Sequence, residues 1–207
     1  MKGVTALLAI PVIIALGAGA LWRGSDGLHA FTAESARRLD VARQPRILPE
    51  VDFQDQDGRP VSLNDLAGKV VLLDFIYTRC PTVCTVQGSD FEVLRERIRD
   101  LGLGDRIALV TVSFDPVHDG PRELADYARR YGGADAVWRF LRAPSEAQTR
   151  ALLRVAAVKV VADGYGGFVH NAAIHVIDRE GRLVRILDSD ATEQALALAR
   201  ALSQGPA

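Results

Sequence analysis

The alternation of apolar and polar positions predicts regular strands and helices from residue 51 onward. Near-continuous apolar runs at 69–77 and 106–114 predict two strands that are buried on both faces. Apolar residues at helical spacing follow these runs, at 84–101 and 120–131. Further strands are expected at 51–54, 59–63, 137–141, 172–178 and 183–187, and further helices at 145–156 and 192–202, capped by Ser145 and Thr192. This order predicts an α/β domain with helices packed on one sheet.

The N-terminal segment has a different pattern. From Gly3 to Trp22 there is no charged residue, and an apolar run of about 20 residues can cross a bilayer as a helix. Ala18-Gly19-Ala20 would also serve as a cleavage site for a signal peptide. We therefore expect residues 1–23 to be a signal anchor or a signal peptide, and either would export the rest. Residues 24–46 are interpreted as a linker with a short helix capped by Thr32, and 47–207 as the globular domain.

Composition narrows the functional classes. The 207 residues are 48% hydrophobic and 25% charged, a mixture that excludes a mainly disordered chain and a multi-span membrane protein. The formal net charge of -1 provides no basic field that would hold nucleic acid. The two cysteines are too few for a disulfide-stapled scaffold.

Those two cysteines, Cys80 and Cys84, lie between the first buried strand and the helix that follows it. Ligand sites in open α/β sheets form beyond the carboxyl ends of the strands, and a helix N-terminus stabilises a thiolate. We place Pro81 at the first helical position. The i, i+4 spacing puts the two Cα atoms about 6 Å apart, which is within disulfide range and close enough for both sulfurs to bind one soft metal ion. A structural disulfide, a redox dithiol and a metal site all remain open.

Other polar residues are weaker candidates. His118 follows a buried strand and could approach the rim of the site, whereas His175 lies inside a predicted strand and His29 in the linker. Asp74 lies within a buried strand, where a carboxyl group must be paired or protonated, so it could accept a proton from the cysteine pair or serve the structure alone. Arg79 is expected to face solvent.

Three segments resemble the Sco/SenC family of membrane-anchored, thioredoxin-like copper proteins. Residues 77–84 (YTRCPTVC) look like the family's CPxxC metal motif, and residues 112–119 (VSFDPVHD) look like its SxDPxxD segment. The family places a histidine eleven residues before the glycine of the last hairpin, as His170 precedes Gly181. The resemblance covers about residues 40–204. Val169 and Thr85 depart from it, because the family often has Asp and Pro there, and the lost Asp puts the affinity for copper in doubt.

The resemblance implies a thioredoxin-like fold, with a central mixed sheet, flanking helices and an N-terminal β-hairpin. It also implies that Cys80, Cys84 and His170 bind copper, as Cu(I) or Cu(II). The protein would be a monomeric metallochaperone for the dinuclear copper site of cytochrome c oxidase. Its single-pass anchor would lie in the bacterial inner membrane and its domain in the periplasm, where other copper chaperones or thiol reductants could be partners.

An enzymatic role is the alternative. A membrane-tethered thiol–disulfide reductase would use Cys80 and Cys84 to keep the cysteines of the oxidase copper site reduced. Thioredoxin-type redox proteins have a cis-proline facing the dithiol, and the matching position here is Ala172. The missing proline favours the metallochaperone, although the two roles do not exclude each other.

Overall fold

The computed structural model describes the backbone of residues 2–205 and the side chains of residues 10–205. The chain divides into two compact units, Met1–Arg43 and Gln44–Ala207. The first unit contains helices α1 (Lys2–Gly24) and α2 (Ala33–Arg43). Thr32 caps α2 as predicted, since its hydroxyl accepts a hydrogen bond from the backbone N–H of Ser35 at 3.0 Å.

The expected membrane span falls on helix α1 (Lys2–Gly24). Among the described residues, no helix is both long enough and apolar enough to cross a bilayer. The predicted anchor or signal peptide covers residues 1–23. The side chains of residues 1–9 lie outside the described part of the chain, so this part of the prediction is not tested.

The second unit is built on a mixed sheet, as predicted. The strands are β1 (Arg46–Ile47), β2 (Phe53–Asp55), β3 (Pro60–Val61), β4 (Val70–Ile76), β5 (Ile107–Ser113), β6 (Trp138–Arg142), β7 (Val160–Ala162), β8 (Phe168–His170), β9 (Ala173–Ile177) and β10 (Arg182–Asp188). Eight of them form one sheet in the order β1-β10-β9-β4-β5-β6-β2-β3, while β7 and β8 pair separately. The central strands β4, β5 and β6 are parallel, and every other pair is antiparallel. The carboxyl ends of β4 and β5 therefore meet at one edge of the sheet.

Helices flank this sheet and cover its apolar strands. They are α3 (Val83–Asp100), α4 (Pro121–Arg129), α5 (Glu146–Val155) and α6 (Thr192–Gln204), with a 3-10 turn at Leu63–Leu66. Helix α6 packs on β4, β5 and β9 and against α3, and α4 packs on β6 and β2. All of β4 and β5 is buried, which explains the near-continuous apolar runs in the sequence.

Gly88 lets α3 approach the end of α4 closely. A Cβ at this position would lie within 3.0 Å of three ring atoms of Tyr131. Because no side chain intervenes, the Tyr131 hydroxyl reaches the carbonyl of Thr85 at 3.2 Å, and the hydroxyl of Tyr127 reaches the carbonyl of Cys84 at 2.5 Å. The first turn of α3, which carries Cys84, is thus held from the side by two tyrosines.

Two local predictions were wrong. Pro81 is not the first helical residue, because the Cys80 N–H bonds the Tyr77 carbonyl at 3.2 Å in a turn and α3 begins only at Val83. Thr192 does not cap α6: its N–H bonds the carbonyl of Asp190 at 2.8 Å, and Ala191 occupies the cap position without a side-chain bond. Strands β7 and β8, which the sequence did not predict, form a hairpin that turns at residues 164–167.

Candidate metal site

Cys80 and Cys84 lie close together at the connection between β4 and α3. Both cysteines are reduced and buried, with Cys80 in the connecting turn and Cys84 in the first turn of the helix. The backbone N–H of Cys84 donates a hydrogen bond to the Cys80 sulfur at 3.4 Å. The helix N-terminus thus directs one of its unpaired N–H groups at a thiol, an arrangement that stabilises a thiolate. The two cysteines are thus neighbours in the fold, with no disulfide between them in the structure.

The two thiols have opposite acidities. Burial alone would raise the pKa of Cys80, but hydrogen bonds from the backbone N–H groups of Cys84 and Thr82 and from the Tyr77 hydroxyl outweigh it, so the pKa falls below its ordinary value. Burial raises the pKa of Cys84 far above the ordinary range, and the negative charges of Cys80 and Asp74 raise it further. Cys80 is therefore the more acidic thiol of the pair, and Cys84 is the one that holds its proton more strongly.

His170 is the last residue of β8, on the small hairpin that β8 forms with β7. Its Nε2 lies 3.1 Å from the carbonyl oxygen of Phe75, and its ring packs on Phe114 with centroids 5.0 Å apart. Burial lowers the pKa of His170, although the Phe75 carbonyl opposes this shift. The imidazole is therefore neutral near pH 7, which is the form that can bind a metal. Its Nε2 is turned to the backbone of β4 rather than to the thiols.

The structure does not bring all the predicted ligands into contact. Across residues 10–205, no three His, Cys, Asp or Glu side chains are grouped closely enough to hold a metal ion. His175 bonds the Ala156 carbonyl at 3.2 Å inside the core, and the Nδ1 of His29 lies 3.2 Å from the Asp26 carbonyl. The Nδ1 of His118 lies 2.9 Å from both carboxylate oxygens of Asp115, which also pairs with Arg79 at 2.9 Å.

A buried carboxylate that sequence reasoning missed anchors the turn before Cys80. Asp119 is fully buried and accepts three hydrogen bonds, from the Thr78 N–H at 2.9 Å, the Thr78 hydroxyl at 2.7 Å and the Ser113 hydroxyl at 2.5 Å. These bonds join the end of β4 to the loop after β5. The sequence contains a signal for this cluster, because the polar residues Thr78 and Ser113 lie at the ends of two otherwise apolar runs. It does not show that these two residues meet at Asp119.

Asp74 lies on β4 behind the cysteine pair and is also fully buried. Neither of its carboxylate oxygens has a hydrogen-bond partner of regular geometry within the described part of the chain. Burial raises the pKa of Asp74 to about 7, while the hydroxyl of Thr111, directly opposite on β5, offsets part of the shift. Of the two alternatives expected for Asp74, paired or protonated, the raised pKa favours the protonated carboxyl group below neutral pH.

Comparison with known proteins places this chain in a family. The SCO1/SenC family model matches residues 40–203. The SCO1 protein homolog of Bacillus subtilis is 30% identical over 135 residues, which cover 64% of this chain and 69% of the relative. The match therefore covers about two thirds of each chain.

Solved structures show the same fold. Bradyrhizobium japonicum ScoI with copper bound is 28% identical, with a TM-score of 0.62 over 75% of this chain and 99% of that one. BsSco, a member of the Sco family of cytochrome c oxidase assembly proteins with a disulfide switch, is 22% identical, with a TM-score of 0.69 over 79% of this chain and 96% of that one. The family match and the shared fold together establish that this chain belongs to the SCO1/SenC family.

Proposed function

We propose that this protein is a copper metallochaperone that binds its cargo through Cys80, Cys84 and His170. The observation that carries the proposal is the pair of reduced thiols at the head of α3, with the Cys84 N–H 3.4 Å from the Cys80 sulfur. Two sulfurs favour copper over hard cations, because thiolates are soft ligands. A small buried turn with one acidic thiol is suited to take up copper and to release it to a partner.

His170 would complete the ligand set by a small rearrangement. Its imidazole would exchange the Phe75 carbonyl for copper, which requires the ring to turn from the backbone of β4 toward the thiols. The hairpin that carries His170 turns through Gly164 and Gly166, both with positive φ, and is not part of the main sheet. A Cu(I) ion would need only the two sulfurs and the imidazole, whereas Cu(II) favours additional nitrogen or oxygen ligands.

The recipient we propose is the dinuclear copper site of cytochrome c oxidase. This assignment is supported by BsSco, which belongs to the Sco family of cytochrome c oxidase assembly proteins. We further propose that residues 1–23 attach the protein to the bacterial inner membrane, with the globular unit in the periplasm, because residues 3–22 carry no charge. Attachment would raise the effective concentration of the chaperone at a membrane-bound recipient.

Copper titration of the full-length protein tests the ligand set. Under anaerobic, reducing conditions we expect one equivalent of Cu(I) in the wild type and its loss in Cys80→Ser and Cys84→Ser, because one thiolate alone is a weak site. His170→Ala should lower Cu(II) affinity by more than the ~10–100-fold loss typical of removing an outer-shell partner of a metal ligand. Competition with a chelator of known affinity gives these values, and absorption and spin-resonance spectra report the Cu(II) ligands.

His29→Ala is the matched control, because His29 lies in the other unit, where its Nδ1 lies 3.2 Å from the Asp26 carbonyl oxygen. Its copper affinity should equal that of the wild type. An unchanged Cu(II) spectrum in His170→Ala would remove His170 from the ligand set. Full Cu(I) binding by either cysteine variant would contradict the proposal that Cys80 and Cys84 form a copper site.

A thiol–disulfide reductase is the second candidate, and the unequal acidities of the thiols favour it. The Cys80 thiolate would attack a partner disulfide, displacing one partner sulfur as a thiolate and forming a mixed disulfide. Cys84 would then lose its proton and attack the Cys80 sulfur, which releases the second partner thiolate. Overall, two electrons pass to the partner, and Cys80 and Cys84 are oxidised to a disulfide.

The order of attack can be tested with metal-free protein. Cys84→Ser should accumulate a mixed disulfide with the oxidised copper-bearing domain of the oxidase, because the resolving thiol is missing. Cys80→Ser should form at least 10-fold less, since the thiol that remains is buried and of raised pKa. Mass spectrometry under non-reducing conditions measures both species. Equal trapping by the two variants would contradict Cys80 as the attacking residue.

A further inference from the structure

Tyr77 contacts each of the three segments that carry a proposed copper ligand. Its backbone N–H forms a hydrogen bond with the Cys84 sulfur, and its hydroxyl forms one with the Cys80 sulfur. The same hydroxyl accepts a hydrogen bond from the Phe168 N–H at 3.3 Å and lies 3.4 Å from the Phe168 carbonyl oxygen, two residues before His170. Tyr77 is buried, and its ring packs on Phe168 with centroids 5.3 Å apart. The hydroxyl is therefore fixed between the cysteines and the hairpin of β7 and β8.

The contact between Tyr77 and Phe168 ties this hairpin to the end of β4. The hairpin is not part of the main sheet, so its position relative to the thiols depends on side-chain contacts of this kind. A Cβ at Gly167 would lie 2.9 Å from the Tyr77 hydroxyl, so the glycine before Phe168 allows the close approach. Phe168 and His170 are two positions apart on one strand and lie on the same face. A displacement of the Phe168 backbone would therefore move the His170 imidazole with it.

The hydroxyl of Tyr77 has an acceptor for its proton whether or not a metal binds the Cys80 sulfur. A phenolic hydroxyl donates one proton, and here the Cys80 sulfur and the Phe168 carbonyl are both within reach. When the sulfur shares its electron pairs with copper, the proton can turn to the carbonyl while the oxygen still accepts the Phe168 N–H. The buried hydroxyl thus stays satisfied in both states, and its bonds to the hairpin are kept.

We infer that Tyr77 is a positioning residue that holds the hairpin of β7 and β8 beside the thiols, so that only the His170 side chain has to move to reach copper. This inference rests on the proposed function. The imidazole would leave the Phe75 carbonyl, which lies 3.1 Å from its Nε2, by rotation about side-chain bonds. Turning one side chain on a fixed strand costs less entropy than ordering the backbone of a mobile strand as well. Tyr77 therefore contributes to copper affinity through His170 and not as a ligand.

Removal of the hydroxyl in Tyr77→Phe tests this role, because the ring and its packing are kept. The measurement is a double-mutant cycle with His170→Ala in the full-length protein. The Cu(I) affinity of each variant is determined under anaerobic, reducing conditions by competition with chelators that span a wide range of affinities. Tyr165→Phe is the matched control, since it removes a phenolic hydroxyl from the same hairpin at a position that is 97% exposed.

We expect Tyr77→Phe to lower the Cu(I) affinity by about 10-fold, at the lower end of the loss typical of removing an outer-shell partner of a metal ligand. In the His170→Ala background, the same change should alter the affinity by less than twofold. Tyr165→Phe should have no effect in either background. A loss of equal size in both backgrounds would show that the hydroxyl acts on the Cys80 sulfur alone, and it would overturn the inference, as would a wild-type affinity in Tyr77→Phe.

Hydrogen exchange of the Phe168 amide provides a readout in the metal-free protein. Because this N–H donates to the Tyr77 hydroxyl, Tyr77→Phe should exchange it at least 10-fold faster, relative to the core amides of β5, and Tyr165→Phe should not. An unchanged exchange rate would overturn the positioning role and leave the proposed function standing. A wild-type protein that binds no Cu(I) would overturn the proposed function, and the role of Tyr77 in copper binding with it.

Discussion

Replacement of Asp119 by alanine is expected to destabilise the globular unit by about 2–4 kcal/mol, because a buried donor left without its acceptor costs about 1–3 kcal/mol and Asp119 is the acceptor for more than one donor. The substitution removes the acceptor of three hydrogen bonds of 2.5–2.9 Å at a fully buried position. The Thr78 N–H is then left without its partner, and a buried donor without an acceptor carries its full desolvation cost. Thr78 lies two residues before Cys80, so the turn that carries the thiol should loosen as well.

Urea unfolding of the reduced, metal-free protein measures this loss as a lower midpoint with an unchanged slope. Asp119→Asn keeps the shape and one acceptor oxygen, so its loss should be smaller than that of Asp119→Ala. Asp126→Ala is the control, because the Asp126 carboxylate pairs with Arg129 on an exposed face of α4 and such pairs contribute about 0–1 kcal/mol. A loss below about 1 kcal/mol in Asp119→Ala would show that the cluster does not hold the cysteine turn.

The sheet could be predicted from the sequence because its central strands are continuous apolar runs. Val70–Ile76 and Ile107–Ser113 are buried along their whole length, so burial alone sets their composition. Helix α3 follows from the apolar spacing of its buried face, and Ser145 caps α5 by accepting a hydrogen bond from the Gln148 N–H at 3.3 Å. In each of these cases the local pattern and the tertiary environment favour the same structure.

The hairpin of β7 and β8 could not be predicted in the same way. Its strands have three residues each, and the glycines between them favour a loop when only local sequence is considered. The strands exist because Phe168 packs on Tyr77, with ring centroids 5.3 Å apart, and on Phe114. Such long-range contacts have no local signature.

In the candidate site, too, local features could be predicted from the sequence and long-range contacts could not. The i, i+4 spacing of Cys80 and Cys84 is a local feature, and it correctly placed the two sulfurs together. The direction of the His170 imidazole depends on a carbonyl of β4 that is 95 residues away in sequence. The partners of Asp119 also come from separate segments. Sequence reasoning could therefore propose which residues act together, but not how each side chain is held.

Replacement of Asp74 by asparagine is expected to stabilise the globular unit at pH 8 and to have little effect at pH 4. Burial raises the pKa of Asp74 from 3.8 to about 7 in the folded protein, so the folded state keeps a proton that the unfolded state releases. Between these two pKa values the folded state binds more protons, and the contribution of Asp74 to stability falls as the pH rises. Below about pH 4 both states are protonated and the penalty vanishes.

A shift of this size corresponds to a few kcal/mol at pH 8, at about 1.4 kcal/mol for each pKa unit. Asparagine has the shape of the protonated acid and never ionises, so we expect Asp74→Asn to exceed the wild type by about 2–4 kcal/mol at pH 8. In the described surroundings, the fully buried position of Asp74 leaves its ionised form with only partial compensation from the Thr111 hydroxyl.

Urea unfolding of reduced, chelator-treated protein at pH values from 4 to 8 provides the measurement. The informative quantity is the difference between the variant and the wild type, because the other carboxyl groups titrate identically in both and cancel. Asp126→Asn, on an exposed helix face, gives the pH dependence that a surface carboxylate produces. If the stability difference between Asp74→Asn and the wild type stays constant from pH 4 to pH 8, then Asp74 is not a carboxyl group whose proton is held by folding. A difference that grows through pH 5–7 would instead show that the sheet beneath the cysteine pair contains a group that releases its proton near neutral pH.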